Sequence, residues 1–162
     1  RRGRGGLHVP MGRPPYWQGD AAIMRYVNEL PEEIDISATP DLLPPLALLA
    51  AVRPGVITRF THAAFLRRKE SDRLAAGAGV LRALGVPVEE HPDGLTVTGT
   101  ETLHGGNLDG CGDHRIAMLA GCAAMLADGP VTLRGAETVA KSYPAFWRDM
   151  AALGGRWEVL ET

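Results

Sequence analysis

The spacing of apolar and polar residues divides the first part of the chain into short elements. A helix is predicted over about 20–30, where Pro31 ends it, and the alternation in 34–36 is typical of a strand. The apolar run 46–52, followed by Pro54-Gly55, predicts a buried helix, and the β-rich segment 56–61 predicts a strand. Strands and helices alternate, which favours an α/β fold.

The middle of the chain predicts one amphipathic helix and one hairpin. Apolar residues recur at helical spacing and would form the buried face of a helix that ends at Gly85: Leu74, Ala78, Leu81 and Leu84. Segments 86–90 and 95–98 then flank Pro92-Asp93-Gly94, a sequence typical of a tight turn. This order predicts that the helix packs against a two-stranded hairpin.

The second half repeats the order of the first. A helix is predicted from Gly112 to about Ala127, a strand over 131–134, a helix ending at Leu153 and a closing strand over 156–160. Val131 lies 75 residues after Val56, Lys141 lies 72 after Lys69, and Leu153 lies 69 after Leu84. Near-constant offsets indicate an internal duplication of an α/β unit, arranged either as a doubly wound sheet or as a solenoid.

Composition narrows the class of protein. The chain has 162 residues, 45% of them hydrophobic and 22% charged, with a formal net charge of −2, which is typical of one globular domain. Apolar stretches are too short to span a membrane, and the charge gives no overall attraction to nucleic acid. Cys111 and Cys122 lack metal-binding spacing and predict free thiols in a reducing compartment, the cytoplasm. Residues 1–6 are too rich in glycine for a helix or strand.

Basic residues at the predicted helix starts suggest an anion site. Backbone N–H groups at a helix start already carry partial positive charge, so cations there are favourable when an anion binds. Arg115 follows Asp113 by two residues, Lys69 and Arg73 are one helical turn apart, and Lys141 precedes another predicted helix, the one that ends at Leu153. The alternative for each is a solvated surface charge. Their recurrence at equivalent junctions favours one shared site.

Three further residues at these junctions are candidates for proton transfer. Asp41 is either a base or a simple helix cap, and Glu70 is either an acid–base group or an exposed partner of Arg67 or Arg73. His114 is either a proton shuttle or a hydrogen-bonded structural residue. The aromatic residues Tyr143, Phe146 and Trp147 lie at helical spacing, which favours core packing over a ligand platform.

Four motifs at these same junctions resemble the 5-enolpyruvylshikimate-3-phosphate synthases. They occur in the family's order and approximate spacing, and the resemblance covers about residues 34–155. The motifs are Asp35-Ile36-Ser37-Ala38-Thr39-Pro40-Asp41-Leu42-Leu43-Pro44, Arg68-Lys69-Glu70-Ser71-Asp72-Arg73-Leu74, Asp113-His114-Arg115-Ile116-Ala117-Met118 and Lys141-Ser142-Tyr143-Pro144-Ala145-Phe146.

The resemblance implies a fold and a reaction. The family's fold is an inside-out α/β barrel, in which each of two domains holds three β-α-β-α-β-β units around buried parallel helices. Residues 1–162 would be most or all of the carboxyl-terminal domain, with the amino-terminal domain absent. The family transfers the enolpyruvyl group of phosphoenolpyruvate to the 5-hydroxyl of shikimate 3-phosphate in the shikimate pathway, without a metal or other cofactor.

The resemblance also implies a role for each candidate. Asp41 would accept the 5-hydroxyl proton, and Glu70 would exchange the proton at C3 of phosphoenolpyruvate. Lys69 would contact the shikimate substrate and the reacting centre. The remaining residues would hold phosphoenolpyruvate: Arg73, Arg115 and Lys141, with His114 supporting that end. The chain would then carry chiefly the phosphoenolpyruvate half of an active site.

Two alternatives share the fold. One is the related enolpyruvyl transferase that acts on UDP-N-acetylglucosamine, although the Lys69–Arg73 and Asp113–Arg115 motifs are not expected there. The other is a non-catalytic anion-binding or assembly module that kept the fold and lost the chemistry. The isolated chain is expected to be nearly inactive, since positioning both substrates is a large part of such catalysis.

Overall fold

A computed structural model of the chain describes residues 22–160. It contains five helices and six strands, in the order α1 Ile23–Asn28, β1 Glu33–Asp35, α2 Leu43–Ala51, β2 Ile57–Thr61, α3 Arg73–Ala83, β3 Val88–His91, β4 Gly94–Thr98, β5 Gly106–Asp109, α4 His114–Ala124, β6 Val131–Arg134 and α5 Phe146–Ala152. Short 3₁₀ turns at Pro40–Leu42, Ala64–Arg68 and Ala136–Lys141 precede α2, α3 and α5. The prediction for residues 1–6 lies outside the described residues.

The element order confirms the internal duplication. In the first unit β1 pairs with β2 in parallel, and the β3–β4 hairpin completes a sheet of order β1-β2-β4-β3. In the second unit β5 pairs with β6 in parallel. β5 begins 73 residues after β1, α4 begins 71 after α2, β6 begins 74 after β2, and α5 begins 73 after α3. The first unit therefore has the β-α-β-α-β-β order, and the second has its first four elements.

The predicted closing strand over 156–160 is wrong. These residues are exposed, and they pair with no strand in the described part of the chain. In the first unit β3 is held by β4, which in turn pairs with β2. No strand within 22–160 occupies the matching position beside β6. A segment with strand propensity does not form a strand without a pairing partner, because the ladder of hydrogen bonds stabilises it.

Three helices pack together in the main apolar core. α2 is buried on most of its surface, and the predicted face of α3, from Leu74 to Leu84, is fully buried as expected. Ile116 and Ala120 of α4 lie in the same core. Helix α2 begins three residues earlier than predicted, because Pro44 falls in its first turn, where a missing N–H costs nothing.

The aromatic residues near the carboxyl end are divided between core and surface. Phe146 and Trp147 pack with α4, which confirms the core prediction for these two. The prediction is wrong for Tyr143, which is exposed and donates a hydrogen bond to Asp149 at 2.8 Å. Phe146 already occupies the space against α4, so the Tyr143 ring contacts only its edge, with centroids 5.8 Å apart.

Other predicted properties concern cysteines, membranes and metals. Cys111 and Cys122 are free thiols, as predicted, and burial raises the pKa of the Cys122 thiol. No helix between residues 22 and 160 is long and apolar enough to cross a membrane. The same residues contain no group of three or more His, Cys, Asp or Glu side chains arranged to hold a metal ion.

Candidate active site

The helix starts that carry the predicted site residues meet at one place. Arg73 is the first residue of α3, Asp113 caps α4, and Asp41 lies in the 3₁₀ turn before α2. Because these three helices share one core, their amino ends converge although the residues are 32 to 72 positions apart in sequence. The fold thus brings together the junctions that the sequence singled out.

Arg73 is the centre of this cluster and is almost fully buried, with 3% of its side chain exposed. Its Nε donates to Asp113 Oδ2 at 2.7 Å, its Nη1 to Asp41 Oδ1 at 3.0 Å, and its Nη2 to Glu70 Oε2 at 2.5 Å. A buried guanidinium costs several kcal/mol of lost hydration unless its donors are satisfied. Three carboxylates satisfy all three of its nitrogens, and the planar fork of arginine suits this arrangement.

Asp113, the cap residue of α4, is fully buried and anchors the cluster. It accepts hydrogen bonds from Arg73, from Ser71 Oγ at 3.0 Å and from the backbone N–H of Arg115 at 2.9 Å. Burial alone would raise the pKa of Asp113, but these hydrogen bonds and the charge of Arg73 outweigh it and hold the pKa below its ordinary value. Asp113 therefore stays ionised and fixes both arginines.

Three members of the cluster are more exposed than Asp113, namely Arg115, Asp41 and Glu70. Arg115 Nη2 donates to Asp41 Oδ2 at 2.6 Å, so the Asp41 carboxylate bridges two arginines. The alternative of Asp41 as a helix cap is wrong, since its side chain caps no backbone group. Glu70, 47% exposed, pairs with Arg73, as the second alternative for that residue predicted.

Lys141, Lys69 and His114 lie at the edges of the cluster. Lys141 Nζ donates to the backbone oxygen of Gly112 at 3.1 Å, which brings the end of the 3₁₀ turn before α5 to the start of α4. Lys69 is exposed and makes no side-chain hydrogen bond or ion pair with a residue in 22–160. His114 is half-buried, and its buried Nδ1 has no hydrogen-bond partner in the described part of the chain.

The charges of the cluster favour a small anion. Lys69, Arg73, Arg115 and Lys141 carry four positive charges, against three negative charges on Asp41, Glu70 and Asp113. An open groove of about 510 Å³ lies elsewhere, between α3 and β5, and none of the seven predicted site residues lines it. The charged cluster is the better candidate for an anion site, because the groove offers the carboxylates of Asp72 and Asp109 and no lysine, arginine or histidine among the described residues lines it.

The chain matches the EPSP synthase (3-phosphoshikimate 1-carboxyvinyltransferase) family over residues 10–150. It belongs to that family. All seven predicted site residues, from Asp41 to Lys141, fall within the matched range.

Relatives named 3-phosphoshikimate 1-carboxyvinyltransferase are similar to this chain. One from Clostridium acetobutylicum is 50% identical over 122 residues, which are 75% of this chain and 28% of the relative. One from Halobacterium salinarum is 40% identical over 93% of this chain and 40% of its own length. The chain thus spans well under half the length of these curated relatives.

One solved structure of EPSP synthase from Acinetobacter baumannii is also similar to this chain. It is 35% identical, with a TM-score of 0.67, over 74% of this chain and 28% of that one. Such similarity at this identity confirms the predicted fold class: the chain has the α/β architecture of EPSP synthase, and the repeated units described above are part of it.

Sequence reasoning missed the structural roles of Asp113 and Ser71 in this charged cluster. Asp113 was expected only to open a helix, and Ser71 only to belong to a motif. A signal for Asp113 existed in the sequence, because a buried arginine at the start of α3 requires a buried carboxylate nearby. The sequence does not say which aspartate supplies it, since Asp113 is 40 residues away.

Proposed function

We propose that the chain is the carboxyl-terminal part of a longer 3-phosphoshikimate 1-carboxyvinyltransferase and carries mainly the phosphoenolpyruvate side of its active site. The observation that supports this most is the meeting of Asp41, Glu70, Arg73 and Arg115 at the starts of three helices. The remaining part of the protein, an amino-terminal domain, supplies most of the shikimate 3-phosphate pocket. Two free thiols favour a reducing compartment, and we propose the cytoplasm as its location.

The differences in burial suggest how the anion binds. Asp113, the fully buried partner of Arg73, is out of reach of an anion from solvent. Glu70, 47% exposed, and Asp41, 32% exposed, are the partners of Arg73 that an anion can replace. A carboxylate or phosphate of phosphoenolpyruvate that replaces Glu70 on Arg73 restores the hydrogen bonds it displaces. Arg115 and Lys141 then bind the second anionic group. Glu70 is released toward the reacting carbon, where an acid is required.

We propose the following roles for these residues in the reaction. Glu70 takes up a proton from solvent when it leaves Arg73, and it donates that proton to C3 of phosphoenolpyruvate while Asp41 takes the proton of the shikimate 5-hydroxyl and the oxygen bonds to C2. This addition gives a tetrahedral intermediate. Glu70 then takes a proton back from C3, the bond from C2 to the phosphate oxygen breaks, and phosphate leaves with the proton that Asp41 holds. Lys69, beside Glu70 and exposed, stabilises the negative charge at the reacting centre, and His114 supports the anion at the start of α4.

Two substitutions in the longer protein test the proposal. Glu70→Gln is expected to lower kcat by about 10²- to 10⁴-fold, the usual contribution of a general acid–base group. Arg115→Ala is expected to raise the KM for phosphoenolpyruvate by about 10- to 150-fold, because a hydrogen bond to a charged group contributes about 1.5–3 kcal/mol. Arg148→Ala is the matched control, since Arg148 is exposed and pairs only with its neighbour Asp149 within the described residues.

The outcomes separate the three functions that share the fold. Unchanged turnover in both variants would favour a non-catalytic module. The acceptor is identified by heat protection of the longer protein: shikimate 3-phosphate should raise its Tm in the presence of phosphate, whereas protection by UDP-N-acetylglucosamine alone would identify the other transferase.

A further inference from the structure

Arg67 has the largest number of side-chain hydrogen bonds outside the charged cluster among residues 22–160. It lies in the 3₁₀ turn Ala64–Arg68, directly before the loop that carries Lys69 and Glu70. Its Nη1 donates to Asp72 Oδ2 and to Glu90 Oε1, both at 2.8 Å. Its Nη2 donates to the backbone oxygen of His91 at 2.6 Å, and its Nε donates to that of Pro92 at 3.0 Å.

These partners lie on the two sides of the loop. Asp72 follows the loop and uses its other oxygen to cap α3, accepting from the backbone N–H of Ala75 at 3.0 Å. The ion pair between Arg67 and Asp72 therefore closes residues 68–71 at their base. Glu90, His91 and Pro92 belong to strand β3 and the turn after it, so the same guanidinium ties the loop to the hairpin.

Opposite charges strengthen this clamp, the set of contacts that joins Arg67 to Asp72 and to Glu90. The hydrogen bonds that Arg67 donates to Glu90 and Asp72 raise the pKa of Arg67. Burial would raise the pKa of Asp72, but the Ala75 N–H and Arg67 outweigh it and lower the pKa. With the guanidinium and both carboxylates charged, the bonds are charge-assisted and among the stronger hydrogen bonds in proteins.

The loop has few other restraints on its reactive residues. Lys69 is exposed, and Glu70 is held only by Arg73 among the described residues. When an anion replaces Glu70 on Arg73, that restraint is lost. The loop is then held by Arg67 at its base and by the hydrogen bond from Ser71 to Asp113.

We propose that Arg67 is a positioning residue that fixes the Lys69–Glu70 loop between α3 and the β3–β4 hairpin during the reaction. It touches neither substrate. Its effect on turnover rests on the proposed function, because it acts by holding Lys69 and Glu70 near the reacting carbon, and small displacements of such groups cost large factors in rate. Its effect on the loop itself does not depend on that function.

The test compares Arg67→Met and Arg67→Lys with Arg82→Met in the longer protein. Arg82 is the matched control, because it also contacts the hairpin, through Val88 O at 3.0 Å and Glu90 Oε2 at 3.9 Å, but closes no loop. Two quantities are measured: hydrogen–deuterium exchange of residues 68–71 with phosphoenolpyruvate present, and steady-state kinetics.

Arg67→Met is expected to speed exchange at 68–71 at least about tenfold and to lower kcat about 10- to 100-fold. The KM for phosphoenolpyruvate should change less than about threefold, since Arg73, Arg115 and Lys141 are intact. Arg67→Lys is expected to fall between wild type and Arg67→Met in both quantities, because an ammonium keeps the carboxylates but not both backbone oxygens. Arg82→Met should leave both unchanged.

Several results would overturn the proposal. If hydrogen–deuterium exchange at 68–71 in Arg67→Met equals that of wild type, Arg67 does not hold the loop. If kcat falls as far in Arg82→Met as in Arg67→Met, the loss comes from a weakened hairpin and not from the loop. Faster exchange with unchanged kcat rules out positioning. If Arg67→Met does not fold, Arg67→Lys decides by the same criteria. If wild type lacks enolpyruvyl transfer, the proposed function fails, and the exchange data still decide whether Arg67 holds the loop.

Discussion

Replacing Asp113 by asparagine tests whether the buried carboxylate is the anchor of the site. The substitution keeps the size of the side chain and an oxygen able to cap α4, so the helix cap remains. It removes the charge opposite Arg73 and directs an NH₂ group toward donors, namely Arg73 Nε at 2.7 Å or Ser71 Oγ at 3.0 Å. A buried positive charge is then less well compensated.

The structure sets the size of the expected loss. Removing one partner of a buried ion pair typically costs about 3–5 kcal/mol. Here Arg73 keeps Asp41 at 3.0 Å and Glu70 at 2.5 Å, so we expect Asp113→Asn to cost about 2–3 kcal/mol, below that range. Asp113→Ala should cost about 1 kcal/mol more, because it also removes the cap.

Urea unfolding of the 162-residue chain at pH 7 measures this loss. With a slope of about 2 kcal/mol per molar, the midpoint should fall by about 1–1.5 M. Asp128→Asn is the control, because Asp128 is half exposed and pairs with His104 at 3.1 Å on the surface. It should move the midpoint by less than about 0.3 M.

The pH dependence gives a second check. The folded-state pKa of Asp113 lies below its ordinary value, so its contribution is complete above the unfolded-state pKa of about 3.9 and is lost as pH falls through the folded-state pKa. The difference between wild type and Asp113→Asn should therefore be constant from pH 7 to about 5 and shrink below about pH 4. A difference under about 0.5 kcal/mol at pH 7, or one that does not shrink in acid, would refute the anchor role.

Other substitutions test the fold. Gly94→Ala should destabilise the chain by at least about 3 kcal/mol, because the added Cβ would lie 1.8 Å from the backbone oxygen of Phe60, which has no rotamer by which to move away. Gly79→Ala, in exposed space on α3, should instead stabilise it by about 0.5–1 kcal/mol. Leu74→Ala should cost about 2–5 kcal/mol, since its side chain is fully buried in the main apolar core. The free energy of unfolding of each variant is measured by urea unfolding. A Gly94→Ala chain as stable as wild type would contradict the register between β2 and β4.

The outcome for individual elements shows where local sequence information is sufficient. The hairpin around Asp93-Gly94 and the buried face of α3 were predicted correctly, because turn chemistry and helical spacing act over a few residues. Strand β5 was missed, since Leu108 is its only large apolar residue. It forms because it pairs with β6, and that partner lies more than 20 residues away.

For the site, the sequence by itself determined which residues are charged, at which helix starts they occur, and the repeat that makes those starts equivalent. These are local properties, so motif and spacing suffice to find them. Only the tertiary structure decided that Asp113 is the buried partner of Arg73, that Asp41 bridges two arginines and that Arg67 closes the loop before α3. Those contacts depend on how the helices pack and the hairpin pairs, and apolar burial, which drives that packing, does not specify in sequence which charges will meet.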